Sequence, residues 1–131
     1  MQLHLKIVGM LLVALSFVHV IFPRYFNWKT ELSSLSLMNR QMMYIHMFFI
    51  ALVVMLMGVL CLTYPEELLF TSFGQKISLG LGAFWIIRLF VQFFGYSSKL
   101  WAGKRFETAM HVLFSCLWIY FSVIFISIYV S

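Results

Sequence analysis

The residues best suited to chemistry in this sequence are three histidines within hydrophobic segments: His19, His46 and His111. Ionisable side chains inside hydrocarbon are costly to bury, so each of them marks a candidate functional site. A neutral imidazole can ligate a transition metal or a haem iron, and it can also carry a proton. The remaining histidine, His4, lies at the edge of its segment, where an interfacial role is expected.

Further polar residues fall within or beside the same segments and extend the candidate site: Arg40, Tyr44, Arg88, Gln92 and Glu107. Glu107 precedes His111 by four residues, so a carboxylate and an imidazole share one helical face. Arg88 interrupts an otherwise apolar run and requires a partner there, for which Glu107 is the acidic candidate.

Haem b is the first chemistry that these residues predict. Two imidazoles from among His19, His46 and His111 would ligate the iron axially, and aromatic side chains would surround the macrocycle. Arg40, Arg88 or Arg105 would pair with the propionates, and we expect Tyr44 and Gln92 to complete the cofactor-binding set. The associated role is redox chemistry.

A single transition-metal ion is the second chemistry. His19, His46 and His111 would be ligands, with Glu107 as a fourth ligand or a supporting base. Such a set suits Zn, Fe or Mn, and the methionines around His46 make Cu a further variant. The ion would activate water or oxygen for reaction with a hydrophobic substrate.

A third alternative needs no cofactor. Arg88, Gln92, Glu107 and the histidines would form a hydrogen-bonded cluster that binds an anionic lipid head group or a quinone, or relays protons. The protein would then be an accessory or binding protein of the membrane. The sequence does not decide between these classes, nor whether the protein is an enzyme.

The composition indicates which kind of secondary structure must position these residues. The chain has 131 residues, of which 63% are hydrophobic, 19% aromatic and 10% charged, and its mean hydropathy is +0.99. Soluble domains carry about 25% charged residues. The sequence therefore predicts an all-α integral membrane protein with one domain over 1–131. The net charge of +5 is attributed to topology and lipid head groups, and no nucleic-acid partner is expected.

Four hydrophobic segments predict a four-transmembrane-helix bundle, with spans at about 3–22, 41–62, 76–94 and 106–130. The second is long enough to cross roughly 30 Å of hydrocarbon. The third is the least hydrophobic, because Arg88 and Gln92 lie inside it. Pro23 is expected to end the first helix. Residues 30–39 read either as a short amphipathic surface helix or as an ordered loop. A homo-oligomer is expected, because four short helices shield a polar cluster poorly.

Basic residues predict the orientation. Six of them flank or occupy the loops 23–40 and 95–105: Arg24, Lys29, Arg40, Lys99, Lys104 and Arg105. Only Lys6 and Lys76 lie on the opposite side. By the positive-inside rule the two loops face the cytoplasm, and both termini share the outer side of what we expect to be a bacterial inner membrane.

This topology places the polar residues in one layer. His19, His46, Arg88 and His111 each lie five to seven residues from the residue that marks the nearest membrane edge, which corresponds to a depth of roughly 7–11 Å. These edge residues are Arg24, Arg40, Gly95 and Arg105, in the same order. Helical periodicity predicts the faces that meet there: 107, 111, 115, 118 and 122 on the fourth helix; 85, 88 and 92 on the third; 40, 43, 46 (or 47) and 50 on the second; 8, 12, 15 and 19 on the first.

Glycines predict close helix contacts toward the opposite side of the bundle. They are Gly9, Gly58, Gly80 and Gly82. Small residues let helix backbones approach closely in a membrane.

Overall fold

The computed structural model describes residues 2–25, 27–95 and 105–130, and within them the chain is helical apart from short turns. In chain order the helices are α1 (Gln2–Tyr25), α2 (Trp28–Glu31), α3 (Leu37–Thr63), α4 (Pro65–Phe70), α5 (Ser72–Phe90) and α6 (Arg105–Val130), with a π-helical turn at Val91–Gly95 directly after α5. The predicted all-α fold is confirmed. Apart from its two end residues, the predicted loop 95–105 lies outside the described residues.

Four of these helices are long and apolar enough to cross a membrane: α1, α3, α5 with most of its π-helical turn, and α6. The third is the least apolar of them, as the presence of Arg88 and Gln92 predicts. The helices extend past the predicted spans at most ends, because backbone hydrogen bonding continues into flanking polar residues that a hydropathy pattern excludes.

The end of the first helix differs from the expectation at Pro23. This residue lies inside α1, which continues to Tyr25. Since only two helical residues follow it, the missing N–H and the steric clash of the ring affect the last turn alone. Asn27 adopts a left-handed conformation with φ 56°, and its N–H bonds to the Arg24 carbonyl at 3.2 Å. Asparagine tolerates this region of φ, and it often ends helices.

The segment 30–39 forms no continuous amphipathic helix. The single turn of α2 ends at Glu31, and turns lead to Ser36. The Ser36 hydroxyl then caps α3 by accepting a hydrogen bond from the Asn39 N–H at 3.3 Å. Residues 32–36 therefore form an ordered loop, and residues 37–39 already belong to α3.

The chain divides into two compact units, one over 2–65 and one from 66 onward. The first is the α1–α3 hairpin, in which α1 packs against α3. A Cβ added at Gly58 would lie 2.8 Å from the Gly9 carbonyl oxygen, so the two backbones touch as predicted. The core of this hairpin is aliphatic, with one thiol: Leu5, Val8, Leu12, Val54 and Cys61.

The second unit is the α5–α6 hairpin, in which α5 packs against α6. Ile126 packs against Gly82, and its Cδ1 atom would lie 2.6 Å from a Cβ added at this glycine. No described atom lies within 4 Å of that position at Gly80, so this glycine makes no close contact within the described part of the hairpin. The largest buried side chains here are aromatic: Trp85, Trp118, Phe121 and Phe125.

Candidate functional site

A chain of hydrogen bonds crosses the α5–α6 hairpin. The Trp118 indole Nε1–H donates to Gln92 Oε1 at 3.3 Å, and Gln92 Nε2 lies 2.8 Å from His111 Nδ1. An indole N–H can only donate, so it orients the amide with its oxygen toward Trp118 and its NH₂ toward His111. His111 Nδ1 is therefore the acceptor, and the neutral ring carries its proton on Nε2.

Local structure explains why these three side chains meet. His111 and Trp118 are two turns apart and share the predicted polar face of α6. Gln92 lies in the π-helical turn. This widened helical conformation is rare in proteins overall, but where it occurs it is often at a functional site. Gln92 and Trp85 are buried, at 8% and 2% exposure, which confirms the predicted inward face of the third span.

An aromatic stack supports the hydrogen-bonded chain. The Trp118 ring stacks on Trp85, with centroids 4.9 Å apart and 14° between the planes, and also on Phe114 at 5.7 Å. The Arg88 guanidinium carbon lies 5.2 Å from the Trp118 centroid. An indole face attracts a cation, and more strongly where water is excluded. Arg88 also occupies the last turn of α5, where the helix dipole favours positive charge.

Two buried donors in this hairpin, Trp85 Nε1 and Ser115 Oγ, have no hydrogen-bond partner among the described residues. Ser122 differs, because its hydroxyl donates to the Trp118 carbonyl at 2.7 Å. Ser78 Oγ, farther along α5, is also without a described partner. Buried polar groups almost always have a partner, and a bound ligand or ordered water commonly supplies it.

The α1–α3 hairpin holds His19 in a different way. His19 Nδ1 lies 2.8 Å from the Leu15 carbonyl oxygen. A carbonyl only accepts, so Nδ1 carries the proton and the neutral ring has its lone pair on Nε2. The ring borders an open cleft of about 130 Å³, lined by His19, Val20, Pro23, Tyr44, Met47 and Phe48. Trp28 packs edge-on against Tyr44, with centroids 5.5 Å apart.

The predicted site residues are therefore only partly brought together. Gln92 meets His111, and His19 shares a cleft with Tyr44. Glu107 is exposed in the first turn of α6, and Arg40 is half-buried. The predicted layer takes its polar residues from four helices, and therefore from both hairpins. That layer stays a prediction.

The position of His46 follows from the phase of α3. The buried face of this helix carries Ala51, Val54, Gly58 and Cys61. Met47, one turn before Ala51, continues this face into the cleft. His46 is displaced from Met47 by about 100° around the helix, and it is exposed and absent from the lining. Met47 therefore fits this face better than His46.

The donor atoms allow a test of the predicted haem or metal site. The described residues contain no group of three or more His, Cys, Asp or Glu side chains that could hold a metal ion. His19 presents a lone pair on Nε2 and fits ligation. His111 presents a protonated Nε2 and engages its Nδ1 with Gln92, so in this arrangement it does not fit. A cleft of about 130 Å³ is also small beside the roughly 300–1,000 Å³ of sites that bury a drug-sized ligand.

The sequence predicts no role for Trp118 in the site, and it indicates Met47 only as an alternative to His46 on its helical face and among the methionines that would suit Cu. Trp118 was placed on the polar face of α6 but not counted as a site residue. The available signal is that a buried indole N–H needs an acceptor. For Met47 the signals are its thioether and the helical phase that gave position 47 as an alternative to 46, and the packed glycine at 58 decides between the two.

Comparison with protein-family models, curated proteins and solved structures finds no match to this chain. The general class of this protein is therefore inferred from its own helices alone. They form an all-helical chain with four helices long and apolar enough to span a membrane.

Proposed function

We propose that this is a membrane-embedded binding protein whose α5–α6 hairpin holds the oxygen-bearing head of a hydrophobic molecule. The observation that carries the proposal is the pair of buried donors, Trp85 Nε1–H and Ser115 Oγ–H, beside the Trp118–Gln92–His111 chain. Donors without acceptors in an apolar hairpin select a ligand that supplies acceptor oxygens. A quinone carbonyl and a lipid phosphate both have this chemistry.

Each group has a distinct part in this proposal. Trp85 and Ser115 donate to the ligand oxygens, while Arg88 supplies positive charge close to them. Gln92 orients His111 and Trp118 and so keeps the site in one arrangement. The apolar tail of the ligand lies along exposed side chains such as Phe84 and Ile87, which would face lipid.

The proposal includes a membrane orientation. We infer four crossings of a bacterial inner membrane, with 23–40 and 95–105 cytoplasmic and both termini outside, from the distribution of basic residues. Ser34 and Glu66 are exposed residues in successive connections and form a matched pair for cysteine labelling in a cysteine-free variant.

An impermeant maleimide should label Glu66→Cys in intact cells and Ser34→Cys only after permeabilisation. The opposite pattern would reverse the orientation. Labelling of both variants in intact cells would show that the second span does not cross the membrane.

Ligand binding is tested in nanodiscs of zwitterionic lipid. A background of Trp28→Phe and Trp101→Phe leaves Trp85 and Trp118 as the fluorescent probes. One arm adds a short-tailed quinone, and the other adds increasing phosphatidylglycerol. Saturable quenching in the first arm identifies a quinone. A saturable spectral change in the second, with retained lipid seen by native mass spectrometry, identifies an anionic lipid.

Two serines of α6 give the matched control. Ser115→Ala should weaken binding roughly 3–10-fold, the equivalent of one net hydrogen bond. Ser122→Ala should change it less than about 2-fold, because that hydroxyl bonds to its own helix. Equal effects of the two substitutions, or no saturable response in either arm, would overturn the proposed function.

A further inference from the structure

The cleft in the α1–α3 hairpin brings an imidazole and a thioether into one lining. The Nδ1–H of His19 is engaged by the Leu15 carbonyl at 2.8 Å, which fixes the ring and leaves the Nε2 lone pair for a ligand. Histidines that bind metals characteristically donate the other ring N–H to such a carbonyl. Met47 borders the same cleft and adds a thioether sulfur.

We propose that this cleft binds a soft monovalent metal ion, Cu(I), through His19 Nε2 and the Met47 thioether. α1 supplies the imidazole and α3 supplies the sulfur, so the ion would connect the two helices of the hairpin. The site lies within this one hairpin. It does not depend on the ligand proposed for α5 and α6.

The ligand atoms in the cleft favour some metal ions over others. None of the six lining residues carries a carboxylate or a thiolate, so the cleft offers no charge to offset a divalent cation. Thioether and imidazole ligands together favour Cu(I), whereas Mg²⁺, Ca²⁺ and Mn²⁺ prefer oxygen ligands. Structural Zn²⁺ sites use four ligands drawn mainly from thiolates and imidazoles, and the cleft has a single imidazole.

The surroundings are consistent with an ion of this kind. The volume of about 130 Å³ suits an ion better than a macrocycle. Phe48, Val20 and Pro23 make the walls of this open cleft apolar. Phe22 packs on the His19 ring, with centroids 5.1 Å apart, and helps to hold its plane.

The test uses the full chain in detergent, with Cu(I) held by the chromophoric competitor bicinchoninate under reducing, oxygen-free conditions. The wild type should withdraw one copper ion per chain from the competitor. His19→Leu and Met47→Leu should each weaken binding at least 10-fold. X-ray absorption of the loaded protein should show nitrogen and sulfur neighbours around copper.

Two further variants separate ligation from folding. Met42→Leu alters a methionine of the same helix that lies outside the cleft lining, and it should change copper affinity less than 2-fold. Met47→His replaces one ligand with another and should restore affinity lost in Met47→Leu. The proposal is overturned if the wild type withdraws no copper, if Met42→Leu weakens binding as much as Met47→Leu, or if Met47→His restores nothing.

Discussion

The two hairpins of this protein handle buried polar groups in opposite ways. In the α1–α3 hairpin, polar side chains bond to the backbone of their own helix: Ser16 Oγ donates to the Val13 carbonyl at 2.6 Å, and His19 donates to Leu15. In the α5–α6 hairpin, Gln92 bonds to two side chains of the other helix. The first pattern leaves the helix interface apolar, and the second makes it polar.

This difference matches how closely the helices approach. Gly9 and Gly58 bring the backbones of α1 and α3 into contact, which leaves no room for large side chains between them. Around Trp85 and Trp118, the α5–α6 interface is filled by stacked rings. The glutamine and the histidine of the polar cluster therefore lie in the hairpin whose interface is aromatic.

The largest expected effect breaks the close contact of the first hairpin. Gly58→Ala places a Cβ 2.8 Å from both the Gly9 carbonyl oxygen and Val13 Cγ2. Because a carbonyl oxygen cannot move away as a flexible side chain can, we expect a loss of about 3 kcal/mol in the free energy of unfolding, at the upper end of overpacking costs. Denaturant titration in detergent, followed by circular dichroism, measures it.

Gly80→Ala is the control, because no atom of the described residues lies within 4 Å of its added Cβ. Alanine is a better helix former than glycine by up to about 1 kcal/mol, so this variant should be as stable as the wild type or slightly more stable. Equal losses in both variants would show that the Gly9–Gly58 contact does not determine the packing of the hairpin.

The sequence was sufficient to predict the helices and several of their faces. Long apolar runs identified all four candidate spans, and periodicity placed Trp85, Trp118 and Leu12 on buried faces. Polar residues in a hydrophobic segment also marked Gln92 and His111. These features follow from local hydrophobicity and helix geometry, which a single sequence records directly.

The partners of the polar groups were not predictable in the same way. Depth in the membrane grouped His19, His46 and His111, yet depth says nothing about the direction in which a side chain points. His46 and Met47 are neighbours in sequence. The helical phase of α3, which is set by the packing of Gly58, places Met47 and not His46 in the cleft lining. Likewise the π-helical turn at Gln92 has no composition signal, and the tautomers of His19 and His111 depend on hydrogen bonds formed only in the fold.

A smaller effect is expected from the polar interface of the second hairpin. Gln92→Leu removes the acceptor of the Trp118 N–H and the donor to His111 Nδ1. We expect a loss of about 2 kcal/mol in the free energy of unfolding, since a buried donor without its acceptor costs roughly 1–3 kcal/mol. The same denaturant titration measures the loss, and the indole N–H resonance of Trp118 in NMR should shift.

Gln75→Leu is the matched control. Gln75 lies in α5, and its side chain donates to the Leu69 carbonyl at 3.1 Å. Losing that single bond should cost about 0.5–1.5 kcal/mol and leave the Trp118 resonance unchanged. If the two substitutions cost the same, the chain from Trp118 to His111 adds no stability beyond one local hydrogen bond. The polar interface of this hairpin would then be explained by ligand binding rather than by the energetics of the fold.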